Sequence, residues 1–149
     1  MCDTNFCHLT PSQENYLKEI YLEVTEKGYA KITDIARALN VKKSSATAAL
    51  NILSEKKLIH HVPYNQITMT DLGSEIAAVL IRRYETMISF FVNILKLKQS
   101  EAAENSCRIE HIMSEKLFKK MTLFYQFTKE FYETNSEYRK RLDTFLTQN

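Results

Sequence analysis

Glycine and proline are scarce in this sequence. Its 149 residues include two of each, whereas roughly ten glycines and seven prolines would be ordinary at this length. The two glycines, Gly28 and Gly73, lie far apart. This separation excludes the glycine-rich phosphate loops of nucleotide-binding enzymes and the glycine-flanked serine turn of many hydrolases. So few turn-forming residues also argue against a β-sandwich or a β-barrel.

A large charge of one sign, paired cysteines and long apolar runs are also missing. The net charge is +2, so any basic patch must be local. The longest apolar run, Ile76–Ile81, is far shorter than the roughly 20 residues that span a bilayer, and residues 1–10 lack the order of a signal peptide. Cys2, Cys7 and Cys107 do not make a disulfide framework. We therefore expect a cytoplasmic protein.

The first helix is predicted from its two ends. Thr10 is a suitable N-cap, Pro11 suits the first helical position, and Gln13 can return a hydrogen bond in a capping box. Gly28 can close the helix in a left-handed conformation. These signals place the helix near residues 11–27.

Two further helices follow at short spacing. Thr33 is the expected N-cap of a short second helix, Asn40 suits a left-handed residue at its end, and a third helix is expected from about Ser44. Two short helices joined by a four-residue turn are typical of a helix-turn-helix.

The next segments complete a winged helix and begin a helical half. Residues 58–63 and 66–70 are rich in β-branched and apolar side chains, which predicts a β-hairpin. Thr70 is expected to cap a long fourth helix, roughly 71–96. The fold class is therefore mainly α. A winged helix-turn-helix with a small hairpin wing is expected over residues 1–70, and an all-helical domain over 71–149.

Helical spacing continues through the second half. Ser100 is expected to open a fifth helix, whose apolar positions run as far as Leu117 and are spaced for burial. Aromatic residues crowd the segment 118–132. Thr134 and Glu137 form a possible capping box for a last helix.

Basic residues concentrate in the helix-turn-helix. Residues 31–61 hold six Lys or Arg against two Asp or Glu. Lysines provide salt-dependent attraction to phosphates, and Ser or Thr hydroxyls at a helix N-terminus bind phosphates and base edges. A merely solvated polar face is the alternative, but the order of elements favours DNA. The candidate DNA-contacting residues are Thr33, Lys42, Lys43, Ser44, Ser45 and Thr47, with Asn65 at the tip of the wing.

Five segments, in order along the chain, carry a resemblance to a known family. They are Thr10–Tyr21, Lys27–Ala36, Val41–Leu53, Thr68–Gly73 and Cys107–Ser114. Together they resemble the DtxR/MntR family of metal-dependent transcriptional repressors over about residues 9–118. Because the chain ends after its helical half, the resemblance is to the short, manganese-regulator type without an SH3-like domain.

The resemblance implies a homodimeric DNA-binding regulator, a repressor of metal-ion homeostasis and not an enzyme. It also implies a metal site between the first and fifth helices. Independently, the i, i+3, i+4 spacing of Cys107, Glu110 and His111 puts three donors on one helical face, where they could coordinate a transition metal. Glu110 and His111 match ligands used throughout the family, and Cys107 matches the iron-type members.

Other positions depart from the family pattern. Asn15 occupies a ligand position that is Asp in the manganese type and Met in the iron type. Tyr84 replaces a histidine ligand, and Ile88 and Ala103 replace further ligands of the iron type, so the second metal site is expected to be absent. Cys107 shifts the expected ion toward Fe, Co or Zn rather than Mn.

Lys18 leaves two alternatives open. It lies three residues after Asn15 and shares its helix face. An ammonium beside the metal position would repel the ion by several kcal/mol, so Lys18 could instead replace the metal and pair with Glu110. The sequence thus allows a single-site divalent-metal sensor or a metal-independent regulator, and an organic effector is a further alternative.

Other candidate sites have simpler explanations. The C-x₄-C-H arrangement of Cys2, Cys7 and His8 fits no standard zinc spacing, so a frayed terminus is expected. Catalysis by Cys107 and His111 would need an orienting group and an oxyanion site that the sequence does not offer. The aromatic segment 118–132 is a candidate ligand pocket, but packing in the core or a dimer is favoured because the helical half is small.

Overall fold

The computed structural model describes residues 9–61 and 66–147. It confirms the mainly α fold class, with an antiparallel two-stranded sheet after the third helix. The elements are α1 (Pro11–Lys27), α2 (Ile32–Ala38), α3 (Lys43–Glu55), β1 (Ile59–His60), β2 (Thr68–Met69), α4 (Asp71–Asn93), α5 (Gln99–Ile109), α6 (Glu115–Thr134) and α7 (Ser136–Thr147).

The chain divides into two compact units, Met1–Ile81 and Arg82–Asn149. The division falls within α4, whereas residue 70 is the boundary expected from the sequence. No helix in the described part of the chain has the length and apolar character needed to cross a membrane. Cys2, Cys7 and His8 lie outside the described residues.

Both predicted ends of α1 are confirmed. Thr10 Oγ1 accepts a hydrogen bond from the Gln13 N–H at 3.3 Å, and Gln13 Oε1 accepts one from the Thr10 N–H at 3.1 Å. Gly28 has φ +81°, and its N–H donates to the Val24 carbonyl at 2.8 Å. Glycine adopts this left-handed conformation without steric cost, so the helix ends where the sequence predicts.

The helix-turn-helix is present with one correction. Asn40 is left-handed, with φ +52°, as predicted. Thr33 is not the N-cap of α2, because the helix begins at Ile32 with Lys31 as its N-cap. The Ala30 N–H and carbonyl pair with Ile67, so a long-range contact fixes the extended backbone just before α2. The core of this unit includes Leu17, Ile20, Ile35, Leu50 and Leu53.

The wing is short and antiparallel. Ile59 pairs with Met69 and His60 with Thr68. Its tip, including the candidate Asn65, lies outside the described residues. Lys57, which precedes the wing, has φ +58°. A non-glycine residue pays a steric cost in this conformation, so the turn before the wing is strained.

In the second half, the predicted fifth helix is two helices. The structure ends α5 at Ile109 and starts α6 at Glu115, with the Ser114 hydroxyl accepting from the Leu117 N–H at 3.3 Å. The break was not predicted because the helical spacing of apolar residues continues across it. Ile112 is 82% exposed rather than buried, and Leu117 is exposed as well. A five-residue turn, 110–114, therefore separates the two helices.

The end of α4 and the start of α7 also differ slightly from the prediction. The α4 helix ends at Asn93 rather than near residue 96. Asn135, and not Thr134, caps α7, because its Oδ1 accepts from the Tyr138 N–H at 2.9 Å. The Thr134 hydroxyl donates instead to the Glu130 carbonyl at 2.7 Å.

Candidate metal centre and nucleic-acid interface

Three predicted metal ligands come together at the end of α5. Cys107 lies in the last turn of this helix. Glu110 follows as its C-cap in a right-handed helical conformation, with its N–H donating to the Ser106 carbonyl at 2.9 Å. The helical path therefore continues to Glu110, and His111 comes next. One donor atom from each of Cys107, Glu110 and His111 lies within 4.8 Å of the others.

Two of these three candidate ligands are largely buried and the third is exposed. The Glu110 and His111 side chains are 5% and 10% exposed, with His111 Nε2 lying 3.4 Å from Glu110 Oε1. Cys107 is exposed, which leaves one side open to an incoming ion. Within residues 9–61 and 66–147, Cys107, Glu110 and His111 form the one cluster of at least three His, Cys, Asp or Glu side chains that could hold a metal ion.

This donor set fits a transition metal. Thiolate, carboxylate and imidazole are all established ligands, and tetrahedral zinc separates such donors by about 3.4–3.6 Å. His111 Nε2 and Glu110 Oε1 are already at that separation. The other donor pairs need to approach by up to about 1.4 Å, a distance that side-chain rotation can supply.

Tyr84 borders the same cluster from α4. Partial burial, followed by the charges of Cys107 and Glu110, raises the pKa of its phenol above the usual value. The phenol is therefore neutral at pH 7. Tyr84 replaces the family's histidine with a neutral hydroxyl, and neither Ile88 nor Ala103 offers a donor atom. The absence of a second metal site stays a prediction from the sequence.

Asn15 and Lys18 lie on α1 in the first unit, and both are partly buried. Their roles as a fourth ligand and as a cation in place of the metal stay predictions from the sequence.

Four of the candidate DNA-contacting residues, Lys42, Lys43, Ser44 and Ser45, lie exposed at the start of α3. Lys42 is the N-cap, Lys43 is the first helical residue, and the first turn contains no acidic residue. Thr33 is exposed as well. Thr47 is partly buried, and its hydroxyl donates to the Lys43 carbonyl at 2.9 Å, which leaves it only as an acceptor toward a ligand.

Sequence reasoning missed Arg83. Its Nη2 donates to the Met113 carbonyl at 3.2 Å, in the turn that carries Glu110 and His111. Arg83 follows Arg82, and no sequence signal separates the two residues.

Helices α6 and α7 present an exposed aromatic surface. In the described chain, α6 buries the side chain of Thr128 and α7 buries none. The most exposed aromatic residues are Phe127, at 61%, and Phe145, at 71%. A groove of about 610 Å³ lies between the two helices, with walls that include Phe131, Tyr138 and Phe145. We call this surface the aromatic face; its apolar members are Leu123, Phe124, Phe127, Phe131, Leu142 and Phe145.

Family models match almost the whole described chain. The N-terminal DNA-binding domain of iron dependent repressors matches residues 8–67, and the metal binding and dimerisation domain of the same repressors matches residues 70–139. The uncharacterized HTH-type transcriptional regulator MJ0568 of Methanocaldococcus jannaschii is 31% identical over 123 residues, covering 82% of this chain and 98% of the relative.

Solved structures show the same architecture. The structure of T. acidophilum IdeR superposes with a TM-score of 0.66 at 27% identity over 76% of this chain. The manganese regulator SloR gives a TM-score of 0.69 at 24% identity over 79% of this chain, a likeness of fold alone. The alignments cover 53% and 55% of those two proteins, so the chain spans about half of their length.

Proposed function

Because the chain belongs to the DtxR/MntR family of iron-dependent repressors, which are DNA-binding transcriptional regulators, we propose that it is a homodimeric repressor of metal-ion homeostasis. Its binding to operator DNA responds to a divalent transition metal held by Cys107, Glu110 and His111. The observation that carries this proposal is the convergence of these three donors within 4.8 Å. A cytoplasmic location is part of the proposal.

The donor chemistry favours Fe, Co or Zn over Mn. Manganese prefers oxygen ligands, whereas the Cys107 thiolate and the His111 imidazole suit softer ions. When bound, the ion supplies the positive charge that offsets the Glu110 carboxylate and the thiolate. A regulator in which Lys18 replaces the metal, or one with an organic effector, is the alternative. The gathered ligands support the metal-responsive function.

The first residues of α3 provide the DNA contacts in this proposal. Lys43→Ala removes an exposed phosphate-binding charge, so binding to all duplexes should weaken and the log–log salt slope should fall by about one unit. Ser45→Ala removes a hydroxyl placed for a base edge, so it should change sequence preference more than salt dependence. Fluorescence anisotropy on selected and random duplexes at several salt concentrations measures both effects.

Lys120→Ala provides the matched control, since Lys120 is an exposed lysine on α6. Its salt slope should equal that of the unmodified protein. Equal effects of the Lys43 and Ser45 substitutions on selected and random DNA would refute the two assigned roles.

The aromatic face is the proposed dimer contact, with a second copy of this chain as its occupant. Contiguous apolar surface of this kind on a monomer marks an interaction site. Most of it lies in residues 70–139, which match a dimerisation domain. The rings of Phe127 and Phe131 already pack 4.7 Å apart, so they present one continuous apolar ridge.

Phe127→Glu should convert the dimer into a monomer at micromolar concentration, because it places a charge in a desolvated contact. Sedimentation equilibrium measures the mass, and circular dichroism checks that the helices persist. Leu22→Glu changes an exposed leucine of α1 and should leave the dimer intact. A folded Phe127→Glu protein that remains dimeric would exclude this face as the contact.

A further inference from the structure

The turn between α5 and α6 holds two of the three metal donors. Glu110 and His111 are its first residues, and it contains no regular helix until Glu115. Two hydrogen bonds close it locally: the Ile109 carbonyl accepts from the N–H of Ile112 at 3.0 Å and from that of Met113 at 3.1 Å. The positions of two ligands therefore depend on the conformation of one short turn.

Arg83 holds this turn from a different helix. Its Nη2 donates to the Met113 carbonyl at 3.2 Å, and its Nη1 lies 3.9 Å from Glu115 Oε2. The guanidinium carbon lies 5.0 Å from the centre of the Phe118 ring. One side chain of α4 thus contacts the end of the turn and the first residues of α6.

The guanidinium suits these contacts better than an ammonium would. It is planar, always charged, and carries donors in a fixed fork that can serve a carbonyl, a carboxylate and a ring face together. The Arg83 side chain is 18% exposed, so its bonds are partly shielded from water. The preceding Arg82 is exposed, which shows that Arg83 is set apart by its place on α4 rather than by its residue type.

We propose that Arg83 is a positioning residue of the metal centre. By fixing Met113, it keeps Glu110 and His111 close to Cys107 and reduces the conformational entropy lost when the three donors converge. The inference rests on the proposed metal binding by these ligands. Partners that orient metal ligands from outside the coordination sphere typically change metal affinity by about 10–100-fold when removed.

The test compares Arg83→Met with Arg82→Met, which alters a neighbouring exposed arginine. Co²⁺ is titrated into each purified protein, and its visible and thiolate absorption bands report affinity and coordination geometry. Arg83→Met should weaken Co²⁺ binding about tenfold or more and shift the visible bands. Arg82→Met should match the unmodified protein in both respects.

A folded Arg83→Met protein with unchanged affinity and bands would overturn the inference. If that variant does not fold, Arg83→Lys decides the matter, because it keeps the charge but loses the fork: weaker binding supports the inference and unchanged binding overturns it. Failure of the unmodified protein to bind Co²⁺ would overturn the proposed metal site itself, which is a separate result.

Discussion

Replacing His111 with alanine is expected to weaken transition-metal binding about 100-fold or more. This figure follows because loss of a ligand should cost at least as much as loss of an outer-sphere partner, for which 10–100-fold is typical. The imidazole is 10% exposed and its Nε2 lies 3.4 Å from Glu110 Oε1, so its removal takes away a nitrogen donor beside the carboxylate. Competition for Zn²⁺ against a chromogenic chelator measures the affinity.

His60→Ala is the matched control, since His60 is an exposed histidine on β1. Its zinc affinity should equal that of the unmodified protein. Equal zinc affinities for the His111→Ala and His60→Ala proteins would remove His111 from the ligand set.

Gly73→Ala is expected to destabilise the DNA-binding unit by about 3 kcal/mol, the upper part of the usual overpacking range. A β-carbon at Gly73 would lie 1.9 Å from the Leu58 carbonyl oxygen and 2.8 Å from its carbon. These are backbone atoms, so no side-chain rotation relieves the clash. The same carbonyl accepts hydrogen bonds from the Thr70 N–H and hydroxyl, which hold the start of α4 against the chain before the wing.

Thermal unfolding followed by circular dichroism tests this expectation. The Tm should fall by roughly 10 °C or more, given the entropy of unfolding of a unit of this size. Ser74→Ala alters the next residue, which is only partly buried, and should shift the Tm by a few degrees at most. An unchanged Tm for Gly73→Ala would mean that α4 does not approach Leu58 as closely as the structure places it.

Local chemistry made the boundaries of α1 predictable. At the start of the helix, Thr10 bonds with Gln13, three positions away. At its end, the left-handed Gly28 donates to Val24, four positions away. Thr33 failed as a cap because the chain before α2 is fixed by Ala30 pairing with Ile67, a contact between distant residues. Sequence periodicity reports which residues share a face, but it cannot report such long-range pairings.

The break between α5 and α6 was not predicted for a different reason than the incorrect cap at Thr33. Apolar spacing continues across it, so a single helix was predicted, but Ser114 caps a new helix and Arg83 binds the turn before it. The spacing of Cys107, Glu110 and His111 still brought their donors together, because Glu110 remains helical after α5 ends. The convergence of the three donors could thus be predicted despite an incorrect helix boundary, and their role as metal ligands stays a prediction. The contact of Arg83 with the turn could be identified only in three dimensions.

The sequence alone could not predict that the aromatic face is exposed. Helical spacing of Phe124, Phe127 and Phe131 predicts a shared face but does not distinguish a core from an interface. The structure leaves these side chains exposed in a single chain. This exposure supports the proposal that the aromatic face packs against a second copy, for which the sequence offers only the small size of the helical half.

In the proposed regulator, DNA binding responds to a metal at Cys107, Glu110 and His111. The most direct measurement is the affinity for a selected operator duplex in a chelator and then with Fe²⁺, Co²⁺, Zn²⁺ or Mn²⁺ at fixed ionic strength. We predict that Fe²⁺, Co²⁺ or Zn²⁺ raises the affinity at least tenfold, that Mn²⁺ has a smaller effect, and that His111→Ala abolishes the response. Identical affinity with and without every ion would contradict the claim and favour the metal-independent alternative centred on Lys18.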